Sequence, residues 1–268
     1  MTREGKNAYS VLDRPEVLGA IFHPRAESNF GSSGAIGEDH LIDVAPGIAI
    51  GARFHMGSPS DTNILYFHGN GEIVADYDEL APRYNALGIN FMVVDFRGYG
   101  RSTGYPTVSG MMADCHVAHA YVRTWLRQNG YDGPLVVMGR SLGSASALEL
   151  AADAEKRIDG LIIESGFAFA EPLLRLLGVD IHGIGFKEDE GFRNVDKIGQ
   201  FKGPTLVIHA EYDHIIPFSD GQALYSASRA EEKRLLKIEG ANHNDIFFRG
   251  IQIYMETIGN FNRSIIGR

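Results

Sequence analysis

The sequence predicts an α/β protein, a mostly parallel sheet with helices on both faces. Two observations carry that expectation. From Asn63 onward, short apolar runs of strand length alternate with longer stretches of helical character, the pattern of strands joined by crossover helices. At Gly139-Arg140-Ser141-Leu142-Gly143 the apolar run Leu135-Val136-Val137-Met138 meets the helix-prone Ser144-Ala145-Ser146-Ala147-Leu148-Glu149-Leu150. A strand that passes into a helix within so few residues must make a very tight turn, which the two glycines permit.

In chain order, residues 1 to about 60 hold proline-punctuated segments and the loop Asn29 to Gly37, too glycine-rich for regular structure. No function is readable there. His40 to Val44 and Ile48 to Phe54 flank Ala45-Pro46-Gly47 and form an expected antiparallel hairpin. The alternation then runs: strand Ile64 to Phe67, helix Asp76 to Leu87, strand Asn90 to Val94, helix Gly110 to Gln128, strand Leu135 to Met138, helix Leu142 to Ala154. It continues with strands Gly160 to Ile163, Thr205 to His209 and Arg234 to Ile238, and a last helix from Asp245. Residues 166–203 interrupt this rhythm with Gly166 to Ala170, a short helical Glu171 to Leu177 and the acidic run Lys187 to Glu190. Insertions of that size lie over the carboxyl ends of such strands, so a small lid is expected within a single domain spanning 1–268.

A chain of 268 residues, 44% hydrophobic and 22% charged, is long enough to bury a sizeable core. The formal net charge of -9 leaves no basic footprint for phosphates, which speaks against a nucleic-acid partner. One cysteine, Cys115, excludes an intrachain disulfide and fits a reducing compartment, so a cytoplasmic location is expected. The polar Met1 to Asn7 and the lack of any apolar run of about 18 residues predict neither a signal peptide nor a membrane span. Oligomeric state is not legible.

The turn at Gly139 to Gly143 leaves the Ser141 hydroxyl standing at the carboxyl edge of the sheet, as a displayed nucleophile would be. A glycine-serine-glycine match by itself often marks only a turn, so its neighbours matter. A serine nucleophile needs a base, and the base an orienting acid. Ala210-Glu211-Tyr212-Asp213-His214-Ile215-Ile216-Pro217 follows one strand, and Glu239-Gly240-Ala241-Asn242-His243-Asn244-Asp245 follows the next. Three strand ends thus carry Ser141, Asp213 and His243 to one edge, in the chain order of the hydrolase elbow. Backbone N–H groups would stabilise a tetrahedral oxyanion. One is that of Leu142, at the helix start; the second lies in His68-Gly69-Asn70-Gly71-Glu72, with Asn70 chosen and Gly71 left open.

With these motifs, the chain resembles the α/β-hydrolase family over about Thr62 to Gly259. The resemblance rests on His68-Gly69-Asn70-Gly71, Asp95-Phe96-Arg97-Gly98-Tyr99-Gly100-Arg101-Ser102, the elbow, Asp213-His214-Ile215-Ile216-Pro217 and Ala241-Asn242-His243. It implies an eight-stranded sheet and acyl transfer from a small-molecule substrate to water through an acyl-serine, with no metal and no organic cofactor. The oxyanion loop is not an HGGG loop, and the short lid looks more like small intracellular esterases and the palmitoyl-thioesterase branch than like enzymes with large helical caps.

The expected activity is therefore cleavage of a carboxylic ester or thioester, with amide or peptide cleavage as the alternative on the same parts. Glu164, at another strand end, competes with Asp213 as the orienting acid. Cys115 and His119 sit four apart on one helix, a metal-ligand spacing, but without further ligands a buried core pair is expected. His68 is expected to support the oxyanion loop. Phe167, Phe169, Leu173, Leu174, Leu176 and Leu177 offer an acyl-pocket lining or plain packing. From other classes, Gly69 to Val74 after a strand permits a dinucleotide-binding reading, although Val74 stands where the third glycine belongs. A catalytically silent, ligand-binding version of the fold is the other alternative.

Overall fold

The structure, a computed structural model, describes residues 9–27 and 37–267. Its strands are β1 Glu38–Ala45, β2 Ile48–His55, β3 Thr62–Phe67, β4 Ile89–Val94, β5 Leu135–Arg140, β6 Gly160–Glu164, β7 Thr205–Ala210 and β8 Lys233–Ile238. The helices are α1 Pro15–Ile21, α2 Ala81–Asn85, α3 Val108–Gln128, α4 Gly143–Ala152, α5 Ala170–Leu176, α6 Asn194–Ile198, α7 Phe218–Ala227 and α8 Ile246–Ile266. All strands join one eight-stranded sheet in the order β1-β2-β4-β3-β5-β6-β7-β8. β1 pairs antiparallel with β2, and β2 antiparallel with β4. Every other neighbouring pair is parallel.

The central strands read as apolar runs because they are buried on both faces. Every residue of β3, β4, β5 and β7 is buried. Alternate side chains feed two cores, as the two-residue period of a strand dictates. Leu65, Phe67, Met92, Val94 and Val137 pack on one face with residues of α3, α4 and α7, among them Val122, Leu148 and Leu224. Ile64, Tyr66, Phe91, Val93 and Met138 pack on the other with Tyr84 of α2 and Tyr254 and Ile258 of α8. The chain leaves β3 toward one face and β5, its neighbour, toward the other, so their exit loops diverge. That divergence opens a crevice at the carboxyl edge of the sheet, the usual ligand position in such folds.

Several expected elements differ in detail. The helix expected over Asp76 to Leu87 is a single 3-10 turn, Val74–Tyr77, followed by the short α2. The Gly69 to Val74 loop therefore does not open a long helix, which removes the aligned N–H groups that a dinucleotide pyrophosphate needs. Helices α1, α6 and α7 lie where the sequence pattern raised no expectation. α8 bends at Gly250, whose backbone is not helical. Of the expected glycine-rich loop Asn29 to Gly37, all but Gly37 lies outside the described residues. Residues 166–203 hold α5, one 3-10 turn and α6. Among the described residues no helix is long and apolar enough to cross a membrane.

Candidate active site

The turn from β5 to α4 holds Ser141 at φ 50°, in the left-handed region, which costs a non-glycine residue about 1–3 kcal/mol. Its surroundings over-determine that conformation. The Ser141 N–H donates to the Glu164 carbonyl at 2.9 Å, and Ser144 Oγ donates to the Ser141 carbonyl at 2.6 Å. Glycine is required on both sides because backbone passes backbone here. A Cβ on Gly139 would stand 2.3 Å from the Gly143 oxygen, and one on Gly143 would stand 2.1 Å from the Phe67 oxygen. Leu142 begins α4 as its N-cap, so its N–H lies among the helix-end groups with no intrahelical acceptor.

The loops after β7 and β8 bring the other two side chains to this serine. His243 Nε2 lies 3.0 Å from Ser141 Oγ, and His243 Nδ1 lies 2.7 Å from Asp213 Oδ2. The second carboxylate oxygen, Asp213 Oδ1, accepts the N–H groups of Ile215 at 3.0 Å and Ile216 at 2.8 Å. Burial alone would raise the Asp213 carboxyl, but the hydrogen bond from His243, its charge and the Ile216 N–H outweigh it and hold the group below the usual carboxylate range. A second histidine, His209, backs the acid. Its Nε2 is 2.8 Å from the Ile216 carbonyl and 3.5 Å from Asp213 Oδ2, and burial lowers its pKa.

Glu164 does not meet His243. Its carboxylate receives Arg140 Nε at 3.1 Å and the Tyr254 hydroxyl at 2.6 Å, and burial pushes it up despite the adjacent guanidinium. The geometry thus pairs the imidazole with Asp213 and leaves the competing acid in a different network.

The Gly69–Glu72 loop lies across the serine, tied down from two directions. From beneath, fully buried His68 reaches the Gly69 carbonyl at 2.7 Å and Asp95 at 3.2 Å. From above comes a strap, residues 23–27, in the part of the chain where the sequence was silent. Asn70 Oδ1 accepts the His23 N–H at 2.9 Å and the Tyr99 hydroxyl at 2.6 Å, so its amide NH₂ faces His23 Nδ1 at 2.7 Å. Arg25 donates through Nε to the Gly71 carbonyl at 3.1 Å and pairs with Asp76. The strap is itself held by a bridge between Ala26 and Gly100. The Tyr99 hydroxyl also accepts the His23 N–H at 2.8 Å. The loop after β4 therefore supports the Gly69–Glu72 loop, a contact that its spacing from His68 in sequence did not reveal.

Ser141, His243, Asn70 and Leu142 open on a cavity of about 330 Å³. Its far wall is apolar: Phe167, Leu173, Leu174, Leu177 and Phe192, with Ile215 and Ile216. Of the side chains proposed from sequence as an acyl-pocket lining, Phe169 and Leu176 instead face solvent. Cys115 and His119 are both buried, and burial lowers the His119 pKa to about 4. Among the described residues no group of histidine, cysteine or carboxylate side chains is arranged to hold a metal.

Comparison with known proteins follows the same line. A family model described as serine aminopeptidase, S33, matches residues 58–178. The α/β hydrolase domain-containing protein 17B of Homo sapiens is 31% identical over 232 residues, covering 84% of this chain and 74% of that protein. The lysophosphatidylserine lipase ABHD12 of Macaca fascicularis is 32% identical over 216 residues; the match takes in 71% of this chain and about half, 52%, of the lipase. In fold, the esterase Pf2001 of Pyrococcus furiosus superposes with a TM-score of 0.73 at 17% identity, covering 92% of this chain and 100% of the esterase.

Proposed function

The chain belongs to the α/β-hydrolase superfamily, and from that premise we propose that it is a serine hydrolase cleaving a carboxylic ester or thioester with an apolar acyl group. The observation that carries the reading is the hydrogen-bonded run Ser141–His243–Asp213, at 3.0 and 2.7 Å, facing an apolar cavity. His243 Nε2 takes the Ser141 proton as Oγ attacks the acyl carbon, and returns it to the departing alkoxide or thiolate. Asp213 holds Nδ1–H, which leaves Nε2 as the basic nitrogen and stabilises the imidazolium. The N–H groups of Leu142 and Asn70 receive the oxyanion. Asn70 is favoured over Gly71 because Asn70 lines the cavity beside Ser141 and Leu142. Water, activated by the same imidazole, then attacks the acyl-serine and releases the acid and free Ser141.

Residues 166–203 act as the lid, with α5 supplying Leu173 and Leu174 to the acyl wall. Peptide amino termini suit the site less well. An aminopeptidase must offer a carboxylate to the substrate ammonium, and Glu72, the acidic side chain that lines this cavity, already binds Arg140, the Gly69 N–H and the Tyr77 hydroxyl. The lone buried Cys115 suits a reducing compartment such as the cytoplasm.

A fluorophosphonate probe tests the nucleophile: the wild type labels and Ser141→Ala does not. A ladder of p-nitrophenyl esters and acyl thioesters then locates the acyl length that fills the cavity. Labelling of both proteins, or of neither, defeats the proposal. Specific labelling with turnover of amides alone would move the reading to an amidase.

A further inference from the structure

Directly before the nucleophile stands a buried arginine whose three donor nitrogens reach three different strand ends. Arg140 Nε donates to Glu164 at the end of β6 at 3.1 Å, and Nη2 donates to the backbone carbonyl of His243, after β8, at 2.9 Å. Nη1 pairs with Glu72, in the loop after β3. The other Glu72 oxygen accepts the Gly69 N–H and the Tyr77 hydroxyl, both at 2.6 Å. A Cβ on Gly69 would stand 2.7 Å from Arg140 Nη1, so loop and guanidinium are in direct contact. Burial works against the charged form of Glu72, yet Arg140 and the donors around it hold the carboxyl below its usual range.

We infer that Arg140, with Glu72 as its partner, is a positioning residue that sets the oxyanion loop and the His243 loop relative to Ser141. This rests on the hydrolase reading above. Three elements that meet at the reacting carbon approach from separate strands, and nothing in their sequence proximity fixes their mutual distance. The guanidinium fork is rigid, with donors at set angles, and here each edge of it meets a separate catalytic loop or its support. Arg140 acts through the loops it ties, because each of its three nitrogens is directed at a protein acceptor. Its effect belongs to the transition state, where displacement by about 1 Å costs on the order of a hundredfold in rate, and leaves acyl binding in the apolar cavity unaltered.

Arg140→Lys keeps the charge and loses the fork. The expected result is a fall in kcat of about a hundredfold with KM changed less than about twofold, and loss of the downfield His243 ring-proton resonance in the unliganded protein. Glu72→Gln is the second variant and covers the case in which Arg140→Lys fails to fold. An amide has one acceptor oxygen where the carboxylate uses two, so either the Arg140 tie or the Gly69 tie must break. It should lower kcat by about tenfold or more at constant KM, in the range of a disturbed oxyanion donor. Wild-type levels of kcat in either folded variant, or a KM that rises in step with the loss of kcat, would overturn the inference. A wild type that neither labels with fluorophosphonate nor hydrolyses esters would instead defeat the hydrolase reading, and the His243 resonance still tests the positioning role in that event.

Discussion

At Ser141 a non-glycine residue sits at φ 50°, and the neighbouring glycines have no room for a methyl group. Gly143→Ala therefore forces the strand and helix apart at the Phe67 carbonyl. The expected outcome is a loss of several kcal/mol of stability, seen as insolubility or a strongly lowered thermal midpoint, because backbone atoms cannot yield as a flexible side chain would. Asp213→Asn tests the acid separately. The amide would keep the volume but present a donor or a neutral acceptor to His243 Nδ1, favouring the wrong tautomer. A fall in kcat of about 10⁴ with little change in KM is expected, by analogy with other serine triads. Steady-state kinetics on the best ester checks it, and a loss below tenfold would reassign the orienting role.

Among the elements, the strap at residues 23–27 shows how a segment without a sequence signal enters a site. Its contacts are backbone and side-chain hydrogen bonds to Asn70, Gly71 and Gly100, and such contacts leave no periodic trace in the chain. The double variant His23→Ala, Arg25→Ala removes the side-chain ties. It is expected to lower kcat about tenfold, or ~1.4 kcal/mol, while the thermal midpoint moves little, since both side chains are exposed. Unchanged kcat would show that the loop holds its shape unaided. The strands were legible because their apolar runs reflect burial on both faces. Helix α7 was not, and Gly221 explains part of it: a Cβ there would lie 2.7 Å from His209 Nδ1, so packing demands the residue that weakens the helical pattern. The expected 76–87 helix split at α2, which carries Pro82 in its first turn, a residue with no N–H to continue a helix from before it.

Across the whole molecule, one half-buried and one buried group make stability depend on pH in the same direction. Glu149 is held at about 2: burial opposes its charge, but His116, Lys197 and the Tyr9 hydroxyl outweigh burial. Native protein thus binds fewer protons than the unfolded chain between that value and the ordinary 4.5. The contribution, about 3 kcal/mol, is complete above 4.5 and disappears as pH falls toward 2. His119, lowered by burial from 6.5 to about 4, is neutral in the native state, so stability falls as pH drops through that window. Denaturant midpoints measured from pH 7 to 4 should decline in the wild type and decline less steeply in His119→Leu. Glu149→Gln should be less stable at pH 7, by an amount that shrinks below pH 4.5. A parallel decline in all three proteins would contradict both assignments.

The strands, the longer helices α3, α4 and α8, the displayed serine, and the acid and imidazole at two further strand ends follow from the chain by itself, because burial period and turn chemistry are local properties. Which acid meets His243, and what Arg140 and the strap hold together, were decided only in three dimensions. Those contacts join residues 30 to 103 positions apart, and such distances are closed by packing of the sheet, not by any pattern along the chain.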